Sequence, residues 1–164
     1  MITVRPSRED EAPQVATWVA EPDALRWFPM SDQREIDDAI RIWAGYAKRD
    51  ASFTAEYDGE VAGMAVLYLQ PYQKFAHQCL FAIIVTEKFR GRGIGQALIE
   101  HFEKEGPKKF RLEKIHLEVY EGNPAIHLYE RLGYTVYGTH PRFIKENGQY
   151  ISKVLMEKQI HGRT

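Results

Sequence analysis

The residues of this chain best suited to chemistry stand together as Arg90-Gly91-Arg92-Gly93-Ile94-Gly95. Gly93 and Gly95 lack the side chains that would hold an anion off the main chain, and the two arginines add positive charge and forked donors. Where such a turn leads from a strand into a helix, it sets backbone N–H groups at the positive end of the helix dipole. That arrangement binds phosphate. The turn is not a P-loop, which would close on Lys-Ser/Thr. Nor is it the dinucleotide fingerprint, since Gly91-x-Gly93 would then need glycine or alanine at Gln96.

The flanks provide the elements. Cys79 to Phe89 is apolar and β-branched, which predicts a strand buried on both faces that passes directly into a helix. Ile94, Ala97, Leu98, His101 and Phe102 fall at helical spacing, with Glu100 and Lys104 paired outside that stripe. Gly106-Pro107 is expected to end this helix. Upstream, Ile2 to Arg5 alternates as a first strand stopped by Pro6, and Ser7 is expected to cap a helix running to about Ala20. Glu21 to Gln33 reads as a connector or a substrate-side loop, and Arg34 to Lys48 as an amphipathic helix. Phe53 to Tyr57 and Val61 to Leu69 flank the hairpin signal Asp58-Gly59, and Gly63 suggests a bulge or a close backbone approach. Downstream come a strand at Ile115 to Val119, a helix with Asn123 as N-cap and Pro124 at its first position, and Gly133 as its C-terminal cap. Tyr134 to Lys145 and Gln149 to Met156 form a last antiparallel pair around Asn147-Gly148.

Composition narrows the class. At 164 residues, with 44% hydrophobic and 27% charged residues, the chain is expected to be one soluble domain over 1–164. A formal net charge of −1 gives no electrostatic reason to bind nucleic acid, and the basic run Lys108 to Lys114 reads as a solvated connector. No apolar run reaches the roughly 18 residues that span a bilayer, and MITVRPS carries no signal segment. Cys79 is the only cysteine, so a reducing cytoplasm is the expected compartment. No cysteine–histidine cluster has metal spacing, and no metal is expected.

A second block is Asn123-Pro124-Ala125-Ile126-His127-Leu128-Tyr129-Glu130-Arg131-Leu132-Gly133-Tyr134. Together with Arg-x-x-Gly-x-Gly at 90–95, it resembles the paired signatures of the GNAT N-acetyltransferases, in family order. The ending, with Gly138, Arg142, Phe143, Gly148, Tyr150 and Met156, is similar to acetyltransferases acting on amino acids, polyamines or ribosomal-protein N-termini. The resemblance implies an α+β fold, a strongly twisted mixed sheet of about seven strands with about four helices. It implies transfer of an acetyl group from acetyl-CoA, the co-substrate, to a primary amine by direct attack in a ternary complex. Ile83, Ile84 and Val85 would offer backbone groups to the pantetheine and the thioester oxygen. Arg90, Gly91, Arg92, Gly93, Ile94, Gly95 and Gln96 would cradle the pyrophosphate, Asn123 would contact pantetheine, and Tyr129 would protonate the leaving thiolate. Many relatives pair through their C-terminal strands, so a homodimer is also in view.

Two departures stand out. Leu80 occupies the place where the family often carries a carboxylate base, so the base must come from elsewhere or a water chain must serve. Glu118, in Leu117-Glu118-Val119, matches the position where ribosomal-protein N-terminal acetyltransferases carry theirs, with His77 and His116 as weaker options. Asn123 stands one residue closer to Tyr129 than in the family's usual pattern, which favours a cap over a pantetheine contact. A site without a strong carboxylate base suits an α-amine better than a lysine or polyamine nitrogen, because deprotonating the latter costs about 3.5 kcal/mol more. The acceptor, a small-molecule or peptide amine, is expected against Trp27, Phe28, Tyr72, Tyr137 and Arg142. A non-catalytic CoA-binding or sensing module is the alternative.

Overall fold

The structure, a computed structural model, describes residues 1–160; the last four residues of the expected 1–164 domain lie outside the described residues. Seven strands, β1 (Ile2–Pro6), β2 (Ser52–Tyr57), β3 (Glu60–Tyr68), β4 (Gln78–Val85), β5 (Lys114–Tyr120), β6 (Thr135–Glu146) and β7 (Gln149–Gln159), form one sheet in the order β1-β2-β3-β4-β5-β7-β6. Four α-helices accompany them: α1 (Ala12–Val19), α2 (Gln33–Lys48), α3 (Ile94–Phe110) and α4 (Ala125–Arg131). The sheet is mixed, since β4 and β5 pair in parallel while β1–β2, β2–β3, β5–β7 and β6–β7 are antiparallel. The chain divides into two compact units, Met1–Tyr68 with Phe81–Glu105, and Leu69–Leu80 with the chain from Gly106 onward.

In the first unit, α1 and α2 bury Val15, Trp18, Val19, Ile36 and Trp43 against Met64 and Val66 of β3 and Ile84 of β4. The amphipathic pattern expected of 34–48 accounts for the face that α2 buries. Beneath the two helices runs a polar chain that single-residue patterns did not show. Trp43 Nε1 donates to Ser52 Oγ at 2.9 Å, Ser52 joins Ser7 at 2.9 Å, Ser7 joins Thr54 at 2.8 Å, and Thr54 donates to Glu11 at 3.1 Å. Arg5 clamps Glu11 with two bonds of 2.7 and 3.0 Å. Ser7 is therefore not the expected helix cap, because its hydroxyl is taken up across the sheet. Glu11 instead reaches back to the Arg8 amide at 2.7 Å, and a short 3₁₀ turn at Glu9–Glu11 precedes α1.

Gly63 fulfils both readings of its type. The β2–β3 register shifts between Ala55 and Glu56 beside it, and a Cβ at Gly63 would lie 2.9 Å from the Ile84 carbonyl oxygen and 3.0 Å from Ile94 Cγ2. Only a residue without a side chain lets the start of α3 sit this close. β4 is not buried on both faces: Cys79, Phe81 and Ile84 are buried while Leu80, Ala82, Ile83 and Val85 are half-buried. Nor does it pass directly into α3, because Glu87–Phe89 forms a 3₁₀ turn between them.

In the second unit the expected stop at Gly106-Pro107 is overturned, since α3 runs through both residues to Phe110. The helix closes one turn later on Arg111, which takes a left-handed conformation (φ 57°), with the Arg111 and Leu112 amides returning to the Pro107 and Gly106 carbonyls. Buried Leu112 packs where a Gly106 Cβ would sit, 3.1 Å away, so the glycine serves packing rather than termination. The last hairpin forms as expected, turning on Asn147 and Gly148, both at positive φ, and its second strand, β7, lies between β5 and β6.

Candidate active site

The glycine turn, in the first unit, is exposed from Arg90 to Gly93. Gly91 (φ 76°) and Gly93 (φ 85°) both adopt the left-handed conformation that lets the chain reverse into α3. The first helical bond across the junction runs from Ala97 N–H to the Gly93 carbonyl at 3.0 Å. Among the described residues, the amides of Gly91, Arg92, Gly93, Ile94, Gly95 and Gln96 take no protein acceptor. Six consecutive N–H groups are thus left at the positive end of a 17-residue helix. Arg90 folds back on its own strand, its Nε donating to the Val85 carbonyl at 3.2 Å. Arg92 lies over the Tyr57 ring at 5.2 Å and remains exposed.

One residue here escaped the sequence reading. Glu21 accepts from Thr86 Oγ1 at 2.6 Å and from the Glu87 amide at 3.0 Å, and lies 3.6 Å from Arg90. A single carboxylate therefore ties the turn after β4 to its arginine. Glu21 opens a loop whose composition suggested only a connector, and nothing local to it reports a partner so far along the chain.

The second unit holds the remaining candidates. Tyr129 is buried on α4, and burial pushes its phenol up to about 12, so the group keeps its proton. The end of α4 fixes its backbone: Gly133 (φ 93°) lets the Tyr134 amide return to the Tyr129 carbonyl at 3.0 Å while the Gly133 amide takes that of Glu130 at 3.1 Å. Tyr134 stacks edge-on at 6.2 Å. Asn123 behaves as a cap, its Oδ1 accepting from the Ala125 amide at 2.9 Å, although the helix itself begins at Ala125. Glu118, expected as the base, holds Lys153 Nζ at 2.7 Å. The Lys153 side chain is only 13% exposed, and its ammonium lies 3.4 Å from the centre of the Phe143 ring. His116 stands opposite Leu80 in the β4–β5 register, with Nε2 bonded to Gln78 and its basicity lowered by burial and then by Lys114.

The expected acceptor residues fall in different surroundings. In the first unit, Phe28 packs against the helix core and Trp27 carries the Arg26 guanidinium over its ring at 4.4 Å. In the second, Tyr72 is 71% exposed and meets Phe75 edge-on, Tyr137 is exposed beside a shift in the β6–β7 register, and Arg142 (φ 54°) stacks on Tyr150 at 4.0 Å. Cys79 is buried and free, its thiol pushed up to about 12 by burial, which removes it as a nucleophile. Among the described residues no helix is long and apolar enough to cross a membrane.

Residues 16–134 match the Acetyltransferase (GNAT) family. The L-amino acid N-acetyltransferase AaaT of Escherichia coli is 28% identical over 102 residues, 62% of this chain and 63% of that protein. A spermidine N(1)-acetyltransferase of the same species is 33% identical over 107 residues, 63% of this chain and 55% of that protein. Each match spans less than two thirds of the relative's own length. Among solved structures, yncA of Salmonella typhimurium, determined with its cofactor acetyl-CoA, has a TM-score of 0.80 at 17% identity and covers 99% of this chain and 96% of that one, a likeness of fold. The glycine turn and the α4 block both lie inside the matched range, and the chain belongs to the Acetyltransferase (GNAT) family.

Proposed function

We propose that this chain transfers the acetyl group of acetyl-CoA to a primary amine, by direct attack while both substrates are bound. The observation that carries the reading is the row of six free amides from Gly91 to Gln96 at the head of α3. The diphosphate of CoA presents anionic oxygens at the spacing such a row can meet, and Arg90 and Arg92 add charge-assisted bonds. Ile83, Ile84 and Val85 offer main-chain groups to the pantetheine and the thioester oxygen, which acetyl-CoA supplies as an electrophile. Tyr129 donates to the departing sulfur. Glu118 attracts the acceptor as its ammonium, and Trp27, Phe28, Tyr72, Tyr137 and Arg142 are the side chains proposed to meet it. The Asn123 oxygen is engaged in its cap, which leaves only the side-chain amide to meet the cofactor.

Residues 1–164 act as one catalytic domain in this reading, in the cytoplasm, with an α-amine of an amino acid or peptide as acceptor. The L-amino acid acetyltransferase among its relatives supports that class, and the spermidine enzyme marks the competing one. Calorimetry tests the reading. Acetyl-CoA is expected to bind at micromolar concentration, and Arg92→Glu to weaken it at least about tenfold while leaving acetyl-pantetheine, which has no diphosphate, unaffected. No binding at tens of micromolar sinks the proposal. Binding without acetylation of any amine in a broad panel turns it into the sensing module, a reading favoured by Leu80 in the usual place of the base.

A further inference from the structure

We propose that His116 takes the acceptor amine's proton at its Nδ1 atom, a role that rests on the acetyl-transfer reading above. A hydrogen-bond chain inside the second unit fixes the ring's tautomer. Gln78 Nε2 donates to the Phe75 carbonyl at 2.9 Å, which orients the amide so that Oε1 faces His116 Nε2. An amide oxygen can only accept, so Nε2 carries the ring hydrogen and Nδ1 is left as a bare lone pair. Among the described residues, that Nδ1 is the one buried side-chain nitrogen or oxygen without a partner. Folded chains seldom leave such an atom unpaired.

His116 pairs with Leu80 at the last recorded position of the β4–β5 ladder, opposite the residue that replaces the expected carboxylate. The groups that act on it are Lys114 and Glu118 on its own strand and Glu157 directly across on β7. Burial and Lys114 keep the ring neutral at working pH, while Glu118 and Glu157 oppose them and favour the imidazolium once a proton arrives. Glu118 is less free to act as base because Lys153 holds its carboxylate. The resting chain shields Nδ1 from water, and the role requires the contact to form as the acceptor is seated, as catalytic hydrogen bonds commonly tighten only in the complex.

The protons balance. One passes from the ammonium to Nδ1, and the freed electron pair forms the C–N bond. As the C–S bond breaks, Tyr129 gives its proton to sulfur, and the second proton shed by the new nitrogen restores the phenol by way of water. The imidazolium returns its proton to water between turnovers.

Wild type, His116→Phe and Gln78→Leu are compared at saturating acetyl-CoA, with ¹⁵N NMR of the wild-type ring. The wild-type rate is expected to climb along an acid limb below the ordinary histidine value of about 6.5. His116→Phe is expected to lose that limb and about 100-fold in kcat, with acetyl-CoA affinity kept within about twofold. Gln78→Leu, which frees the tautomer, is expected to lose about tenfold and keep the limb. NMR is expected to find hydrogen on Nε2 and none on Nδ1. A limb or full rate that survives His116→Phe, or hydrogen on Nδ1, overturns the role. If His116→Phe fails to fold, an unimpaired Gln78→Leu or the wrong tautomer does the same. A wild type that acetylates amines beside an unimpaired His116→Phe removes the histidine alone. A wild type that binds no acetyl-CoA removes the transfer reading and the histidine's role with it.

Discussion

Tyr129 shows how far one side chain can be read in isolation. On an apolar helix face a tyrosine is ordinarily core, and the structure does bury it; only its place within Leu128-Tyr129-Glu130-Arg131-Leu132-Gly133 sets it apart, as the residue proposed above to donate to sulfur. A phenol near 12 stays protonated throughout the working range, so it contributes no alkaline limb below that value. Full transfer to a thiolate of ordinary pKa near 8.5 is uphill by roughly 5 kcal/mol. The proposed donation thus requires a departing sulfur whose own basicity is raised by exclusion of water. Tyr129→Phe is therefore expected to lower kcat by about 100-fold with little change in acetyl-CoA affinity, read by steady-state kinetics beside calorimetry. An unchanged kcat would falsify the role. Glu21 is the opposite case: no motif surrounds it, and its work shows only once Thr86, Glu87 and Arg90 are seen around it.

At the scale of elements, what was legible and what was not divide along a physical line. Periods of two and 3.6 report burial, so the strands and helices carrying Trp43, Met64, Leu98 and Ile115 were readable, as were the Asp58-Gly59 and Asn147-Gly148 turns. The hydroxyl chain beneath α1 and the passage of α3 through Pro107 were not, because each depends on a partner that comes near only after folding: Thr54 for Ser7, and Leu112 for Gly106. The network that joins β1, α1 and β2 carries its own prediction. Arg5, the Arg8 amide and Thr54 together hold the Glu11 carboxyl at about 2, against an ordinary 4.5, despite the burial that opposes them. A depressed carboxylate adds stability that is fully present above its unfolded value and is lost as pH falls towards the folded one. Glu11→Gln is thus expected to cost on the order of 3 kcal/mol at pH 7. The deficit should shrink between about pH 4.5 and 2, as urea titrations at several pH values would record. A deficit of the same size at pH 3 would assign the cost to packing rather than charge.

For the whole molecule, the order of elements and the two signature blocks were enough to reach the family, while the choice of acceptor depends on properties no single motif carries. Twenty-two basic against 23 acidic residues give a net charge of −1, so no strong negative field gathers polycations from solution. The proposed base is a histidine held below its ordinary value rather than a strong carboxylate. Such a base removes a proton from an α-ammonium, near 7.7–8.0, far more readily than from a polyamine nitrogen near 10.4, a difference of about 3.5 kcal/mol or a few hundredfold. At pH 7.5 the best α-amine is therefore expected to exceed spermidine in kcat/KM by at least about 100-fold, measured by thiol release over a panel of amino acids, N-terminal peptides and polyamines. The gap should narrow as pH rises toward 10, where the polyamine sheds its own proton and the base ceases to matter. Spermidine turning over faster than every α-amine at pH 7.5 would refute this selectivity and place a strong acidic recess in the site instead.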